Sequence, residues 1–313
     1  APGDVAGFVR AARAKLASEA RGNYAYVQLA GWAVVGEGYG SRGLPVDRDT
    51  QFQVASLSKF VTTLGVMRLA EQGRIDLDAP VSRYLKRWAL PPAKFSNDGV
   101  TVRRLMSHMA GLTDGLGYGG FKPGEPVQSL PESLTHASDA SPGADGRVRV
   151  GIAPGTQWAY SGGGYTLLQL IVEDVTGLSF EDYMQESVFL PLGMTRSSFV
   201  VSDDALNLAE FFDENGGRAI HYRFSALAAA SLYTSAGDLA KLVQAHQGPA
   251  PGFLSAVSLR RMREPEASQF GLPIWGLGTV LYAPTRSGGF VTGHDGSNAP
   301  AINTTLRFDP ETG

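Results

Sequence analysis

Apolar and polar residues alternate at the two ends of this 313-residue chain, while helical spacing fills the middle. Near the start, residues 24–29 and 32–38 are strand-like runs joined by a short turn at Ala30-Gly31. After residue 270 the period returns to two, and 275–282 (WGLGTVLY), 289–293 and 301–308 (AINTTLRF) predict three successive antiparallel strands. Between them the spacing predicts helices over 4–20, from Phe60 to Ala70, over 101–109, 164–176 and 235–247, and one opened by the capping box Ser179-Phe180-Glu181-Asp182. The fold class expected is α+β, an α/β lobe plus an all-α lobe. An antiparallel sheet built from N- and C-terminal strands, flanked by helices, would receive an inserted helical domain. The lobe boundaries are 1–70 with 261–313 for the discontinuous sheet lobe and 71–260 for the helical lobe, with the active site in the cleft between them.

Composition narrows the function. A 43% hydrophobic and 18% charged chain is that of a globular protein with a large core. A net charge of −3 without basic runs argues against nucleic acid or an anionic membrane as partner. No apolar stretch approaches the roughly 20 residues needed to span a bilayer. The absence of cysteine excludes disulfides, thiol catalysis and cysteine-ligated metal. Ala1-Pro2-Gly3, without an initiator methionine, fits a processed export product, periplasmic or secreted, with the cytoplasm as the alternative. At the other end, Asp309-Pro310-Glu311-Thr312-Gly313 is a turn-type sequence straight after a strand. The expectation there is an edge lacking its next neighbour, completed by a further strand and helix or by a separate C-terminal fragment.

Three short motifs carry chemistry. Ser56-Leu57-Ser58-Lys59 opens an apolar helical run, and a three-residue offset lets the two side chains meet. A serine is a weak nucleophile until a base takes its proton, and a desolvated lysine can be that base. Alone, the pair is better read as a serine N-cap followed by a solvated lysine. Tyr160-Ser161-Gly162 follows the turn residues Pro154-Gly155; its tyrosine is either a proton shuttle beside the lysine or a hydrogen-bonded core residue. His294-Asp295-Gly296-Ser297 follows a predicted strand, where a glycine permits close approach of backbone and substrate; a tight turn is the other reading.

In that order, Ser56-x-x-Lys59, Tyr160-Ser161-Gly162 and His294-x-Gly296 resemble the active-site motifs of serine β-lactamases and penicillin-binding proteins. The nearest branch is the class C-type group with family VIII carboxylesterases, D-aminopeptidases and D,D-peptidases. Leu105-Met106-Ser107-His108-Met109-Ala110-Gly111-Leu112, Pro191-Leu192-Gly193-Met194 and 232–238 (LYTSAGD) support it, so the resemblance covers about residues 5–313. It implies Ser56 as the acylated nucleophile, Lys59 as its base and Tyr160 as proton shuttle. It also implies an oxyanion hole from the backbone N–H groups of Ser56 and Ser297, beside Gly296.

Two departures bear on substrate. His294 stands where many relatives carry lysine, and Gly162 where many carry an asparagine that pairs with the substrate's acylamino group. A histidine is mostly neutral at pH 7 and a glycine has no side chain to offer. The acylation machinery is kept, while recognition of β-lactams and D-Ala-D-Ala peptides is relaxed.

Other motifs lose. Gly115-Leu116-Gly117-Tyr118-Gly119-Gly120 matches G-x-G-x-x-G, but no strand precedes it and Phe121-Lys122-Pro123-Gly124 follows; a mobile loop is expected, with Tyr118 or Phe121 lining the cleft. No G-x-S-x-G elbow, P-loop or H-E-x-x-H occurs. His108 reads as a packing residue, because the resemblance makes its segment a packing element, and the isolated His136, His221 and His246 support no metal site.

The resulting expectation is a serine hydrolase acting through a covalent acyl-enzyme on a small-molecule ester or amide, without cofactor or metal. Carboxylesterase is the leading activity. The alternatives are a D-aminopeptidase or peptidoglycan D,D-peptidase, with weak β-lactamase activity beside either, and a catalytically silent relative that binds a peptide or partner. The oligomeric state is left open.

Overall fold

Helix α2 (Leu57–Glu71) is the organising element, because it is buried on almost every side. Leu57, Phe60, Val61, Leu64, Met67 and Leu69 are all buried, each contributing on the order of 2 kcal/mol through removal of its side chain from water. Preceding it in the chain are α1 (Val5–Glu19), the hairpin β1 (Tyr24–Ala30) and β2 (Ala33–Gly40), and the short β3 (Gln51–Gln53). After it come α3 (Val102–Met106), α4 (Leu130–His136), α5 (Gly162–Thr176) and α6 (Phe180–Met184). A two-residue pair, β4 (Phe211–Phe212) and β5 (Arg218–Ala219), precedes α7 (Leu227–Ala230) and β6 (Tyr233–Ser235). The chain continues through α8 (Ala236–Gln247) and α9 (Ala256–Arg261) to five strands: β7 (Ala267–Gln269), β8 (Leu272–Trp275), β9 (Val280–Pro284), β10 (Phe290–Asn298) and β11 (Ile302–Phe308). This computed structural model describes residues 4–115, 117–202, 205–248, 250–299 and 301–312. The terminal residues Ala1, Pro2, Gly3 and Gly313, and Leu116 of the glycine-rich stretch, lie outside the described residues.

The α+β class holds, with antiparallel strands from both ends of the chain and helices between. Three details differ from the sequence expectation. The run 275–282 is two strands, not one: Gly276 and Gly278 turn the chain between β8 and β9, and Gly278 adopts φ +60°, a conformation glycine reaches without cost. The motif His294-Asp295-Gly296-Ser297 lies inside β10 and is paired to β11 through Leu306 to Asn303, so it is strand and not turn. The third concerns sheet continuity. The C-terminal strands form one sheet in the order β11-β10-β9-β8-β7, whereas among the described residues β1 and β2 pair only with each other.

Between β1 and β11 runs a groove of about 560 Å³, lined by Tyr24, Tyr26, Val54, Leu239, Leu306 and Phe308 among others. Two strand edges face it without a strand partner among the described residues. The Gly31 N–H donates to the Thr312 carbonyl at 3.0 Å and bridges the groove at one end.

The glycine-rich stretch is tied down where a mobile loop was expected. Gly119 donates to the Asp139 carbonyl at 2.7 Å, and Phe121 and Arg223 exchange backbone hydrogen bonds at 2.7 and 2.8 Å. Tyr118 is buried with its hydroxyl 2.5 Å from Thr166 Oγ1, and Phe121 is buried as well.

Candidate active site

The chain enters α2 through a strained residue. Ala55 is fully buried at φ +47°, a left-handed conformation that costs an alanine on the order of 1 kcal/mol. That turn leaves Ser56 half-buried at the helix start, where its side chain makes no capping hydrogen bond. One turn on, the Lys59 side chain is buried, and its Nζ donates to Ser56 Oγ at 3.0 Å and to the Ala229 carbonyl at 2.7 Å. No carboxylate lies within ion-pair distance of Lys59 among the described residues. The partners of the ammonium group are therefore a hydroxyl, a carbonyl, and the faces of Tyr160 and Tyr165, at 5.0 and 5.8 Å from the ring centroids.

Tyr160 sits immediately before α5. Ser161 is the N-cap of that helix and accepts from the Gly164 N–H at 2.8 Å. The buried Asp114 holds this cap from behind: its carboxylate accepts from Ser161 Oγ at 2.5 Å and from the Gly163 N–H at 3.0 Å. Asp114→Ala would strand both donors in the core. It is expected to lower the unfolding free energy by about 3 kcal/mol, read as a shift of the urea midpoint at unchanged m-value.

The third side of the site is β10. Gly296 lies so close to the start of α2 that a Cβ there would meet the Val54 carbonyl oxygen at 2.1 Å and the Leu57 nitrogen at 3.1 Å. Thr304 of β11 secures the seam by donating to the Val54 carbonyl at 3.0 Å. Ser297, next along the strand, is exposed. His294 is buried, with Nδ1 2.5 Å from the Asp295 carbonyl, which makes Nδ1 the protonated nitrogen. Burial first, and the nearby Lys59 charge second, push its pKa down to about 4. His294 is thus neutral over the physiological range, and it stacks edge-on against Trp275 at 5.4 Å.

All three motifs named from the sequence therefore lie together in one site. Its other walls carried no signal in the chain. Trp275 is buried with Nε1 donating to the Met106 carbonyl at 3.3 Å, and Ala229 acts through its backbone, which no side-chain pattern can announce. Asp114 is an isolated acidic residue in a loop, and His108 read as packing; both contact the Tyr160 segment directly. No group of three or more potential metal ligands occurs among the described residues.

A family profile described as Beta-lactamase matches residues 8–313. The chain belongs to the β-lactamase family. Within it, the sequence fits the class C-type branch of serine β-lactamases and penicillin-binding proteins, a group of serine hydrolases. It is 28% identical over 287 residues to esterase EstB of Burkholderia gladioli, covering 79% of this chain and 71% of that one. It is 29% identical over 290 residues to penicillin-binding protein 4 of Amycolatopsis lactamdurans, covering 87% and 72%. Penicillin-binding protein 4* of Bacillus subtilis is 31% identical over 153 residues, 49% of this chain; the match spans only 31% of that protein's length. Among solved structures, the octameric penicillin-binding protein homologue of Pyrococcus abyssi superposes with a TM-score of 0.73 at 25% identity, over 94% of this chain and 68% of that one. SurE superposes equally well, with a TM-score of 0.73 at 26% identity, over 97% and 69%.

Proposed function

We propose that this family member is a carboxylesterase in which Ser56 is acylated by the substrate. The observation that carries the reading is the 3.0 Å contact between Ser56 Oγ and a buried Lys59 that no carboxylate neutralises. When Lys59 is neutral, its donation to the Ala229 carbonyl leaves the nitrogen lone pair available to the Ser56 hydroxyl proton. Oγ then attacks the ester carbonyl carbon, and the negative charge on the former carbonyl oxygen falls to the backbone N–H groups of Ser56 and Ser297. Tyr160, beside Lys59, returns the proton to the departing alcohol oxygen as the C–O bond breaks. Water repeats the attack on the acyl-enzyme, with the same groups taking its proton and giving it to Ser56 Oγ.

Ester preference rests on what the cleft lacks. A neutral His294 offers no cation to a substrate carboxylate, and Gly162 begins α5 without a side chain that could pair with an acylamino group. Past Ser297 on β10, Tyr118, Phe211, Tyr222 and Phe224 line a cavity of about 20 Å³ beside Asn298, room for little more than one water. Likeness to esterase EstB points the same way.

A second reading, cleavage of D-amino-acid amides, is favoured by the likeness to SurE, whose structure with D-Leu superposes with a TM-score of 0.71. A side-by-side assay on p-nitrophenyl butyrate, a chromogenic cephalosporin and D-alanyl p-nitroanilide separates the two. The ester is expected to show the highest kcat/KM by about 100-fold, since the other two need polar partners the site does not supply. A larger value for the anilide or the cephalosporin would overturn the esterase reading.

A further inference from the structure

The Ala159-Tyr160-Ser161 segment is gripped by one residue from three directions. The His108 carbonyl accepts from the Ala159 N–H at 2.9 Å, and His108 Nδ1 accepts from the Ser161 N–H at 3.1 Å. Between those two anchors, the His108 ring lies on the Tyr160 ring, with centroids 4.3 Å apart and planes inclined by 37°. His108 achieves this in a left-handed conformation, φ +58°, directly after α3, where a glycine would be unstrained. The strain turns the carbonyl and the ring of one residue towards the same segment. Trp275 at 4.9 Å and Tyr165 at 5.5 Å enclose the ring further, leaving the side chain buried.

We infer that His108 is the positioning residue of Tyr160, fixing the tyrosine beside Lys59 through this clamp. The inference rests on the reading of Tyr160 as proton carrier. An acceptor at Nδ1 places the ring proton on Nε2, so the clamp requires the neutral imidazole. Burial first, and then the charge of Lys59, keep it in that form, well below its usual pKa. Without the imidazole, the Ser161 N–H that follows the tyrosine loses its acceptor and the Tyr160 ring loses the face stacked on it. Misplacement by about 1 Å is enough to cost on the order of 100-fold in rate.

The test is a double-mutant cycle on the rate of Ser56 modification by a fluorophosphonate and on kcat for p-nitrophenyl butyrate. His108→Phe keeps an aromatic ring and removes the acceptor; His108→Asn restores an acceptor near the Nδ1 position and tolerates the left-handed backbone. Expected are a kcat loss of about 100-fold for H108F with KM within about 3-fold, recovery to within about 10-fold of wild type for H108N, and no further loss when H108F is added to Tyr160→Phe. Additive losses in H108F with Y160F, or equal losses in H108F and H108N, would overturn the positioning role. If H108F does not fold, the cycle is run with His108→Gly, which removes ring and acceptor and suits the left-handed backbone: here non-additivity with Y160F supports the clamp and additivity overturns it. A Tyr160→Phe variant as fast as wild type would instead sink the reading of Tyr160 itself, a result distinguishable from either outcome at His108.

Discussion

Ser56→Ala is expected to abolish the covalent adduct with a fluorophosphonate and to lower ester hydrolysis by about 10,000-fold or more, because no second nucleophile can take over the acyl group. Intact-protein mass spectrometry reads the first and initial rates the second. Stability should be almost untouched. The Ser56 hydroxyl caps no backbone donor, so its loss leaves the backbone hydrogen bonds of α2 intact and removes only one of the two acceptors of Lys59 Nζ. This separates loss of chemistry from loss of fold in a single variant. An adduct that persists on Ser56→Ala, or its absence on folded wild-type protein, refutes the acyl-enzyme and would favour a silent, ligand-binding relative.

Lys59→Met should produce the second largest effect, a fall in kcat/KM of about 1,000-fold, within the range general-base removal usually costs. The stability change is expected to go the other way or to vanish. Lys59 is a buried amine without an ion-pair partner among the described residues, and methionine fills a similar volume without the burden of a desolvated charge. Against that gain stands one lost donor to the Ala229 carbonyl, worth about 1 kcal/mol. Thermal unfolding and steady-state kinetics on the same preparation check both halves. A variant within 10-fold of wild type would remove Lys59 from the proton route.

Most of this site could be read from the chain because its parts are side chains at element boundaries. Ser56 stands at the start of a helix rich in apolar residues, and Ser161 caps a helix whose Leu167, Leu168, Ile171 and Val172 are buried and which ends at Gly177 in a left-handed turn. Both boundaries have local causes, and local causes are visible in sequence. Strand limits were harder. β8 and β9 merge into one alternating run on paper because Gly276 and Gly278 interrupt the pairing without interrupting the period. β3 and β6 are three residues each and pair across the helical region, Gln51 to Ser235 and Gln53 to Tyr233, a register fixed only by tertiary packing. His108 illustrates the deepest limit. A buried histidine in a packing segment is an unremarkable reading, and only three-dimensional proximity shows that its carbonyl, ring and Nδ1 converge on the residues around Tyr160.

Gly296 has a consequence for how such a protein can diversify. With its α-carbon pressed against Val54 and Leu57, the strand and the nucleophile's helix meet along a seam that admits no added atom. Mutation has little room to explore there. Ile220 and Tyr222, by contrast, sit on a connecting segment and are not fully buried, so exchanges there disturb fewer neighbours. A lineage carrying this seam inherits its reaction as a fixed cassette and acquires new substrates by rewriting the loops around it.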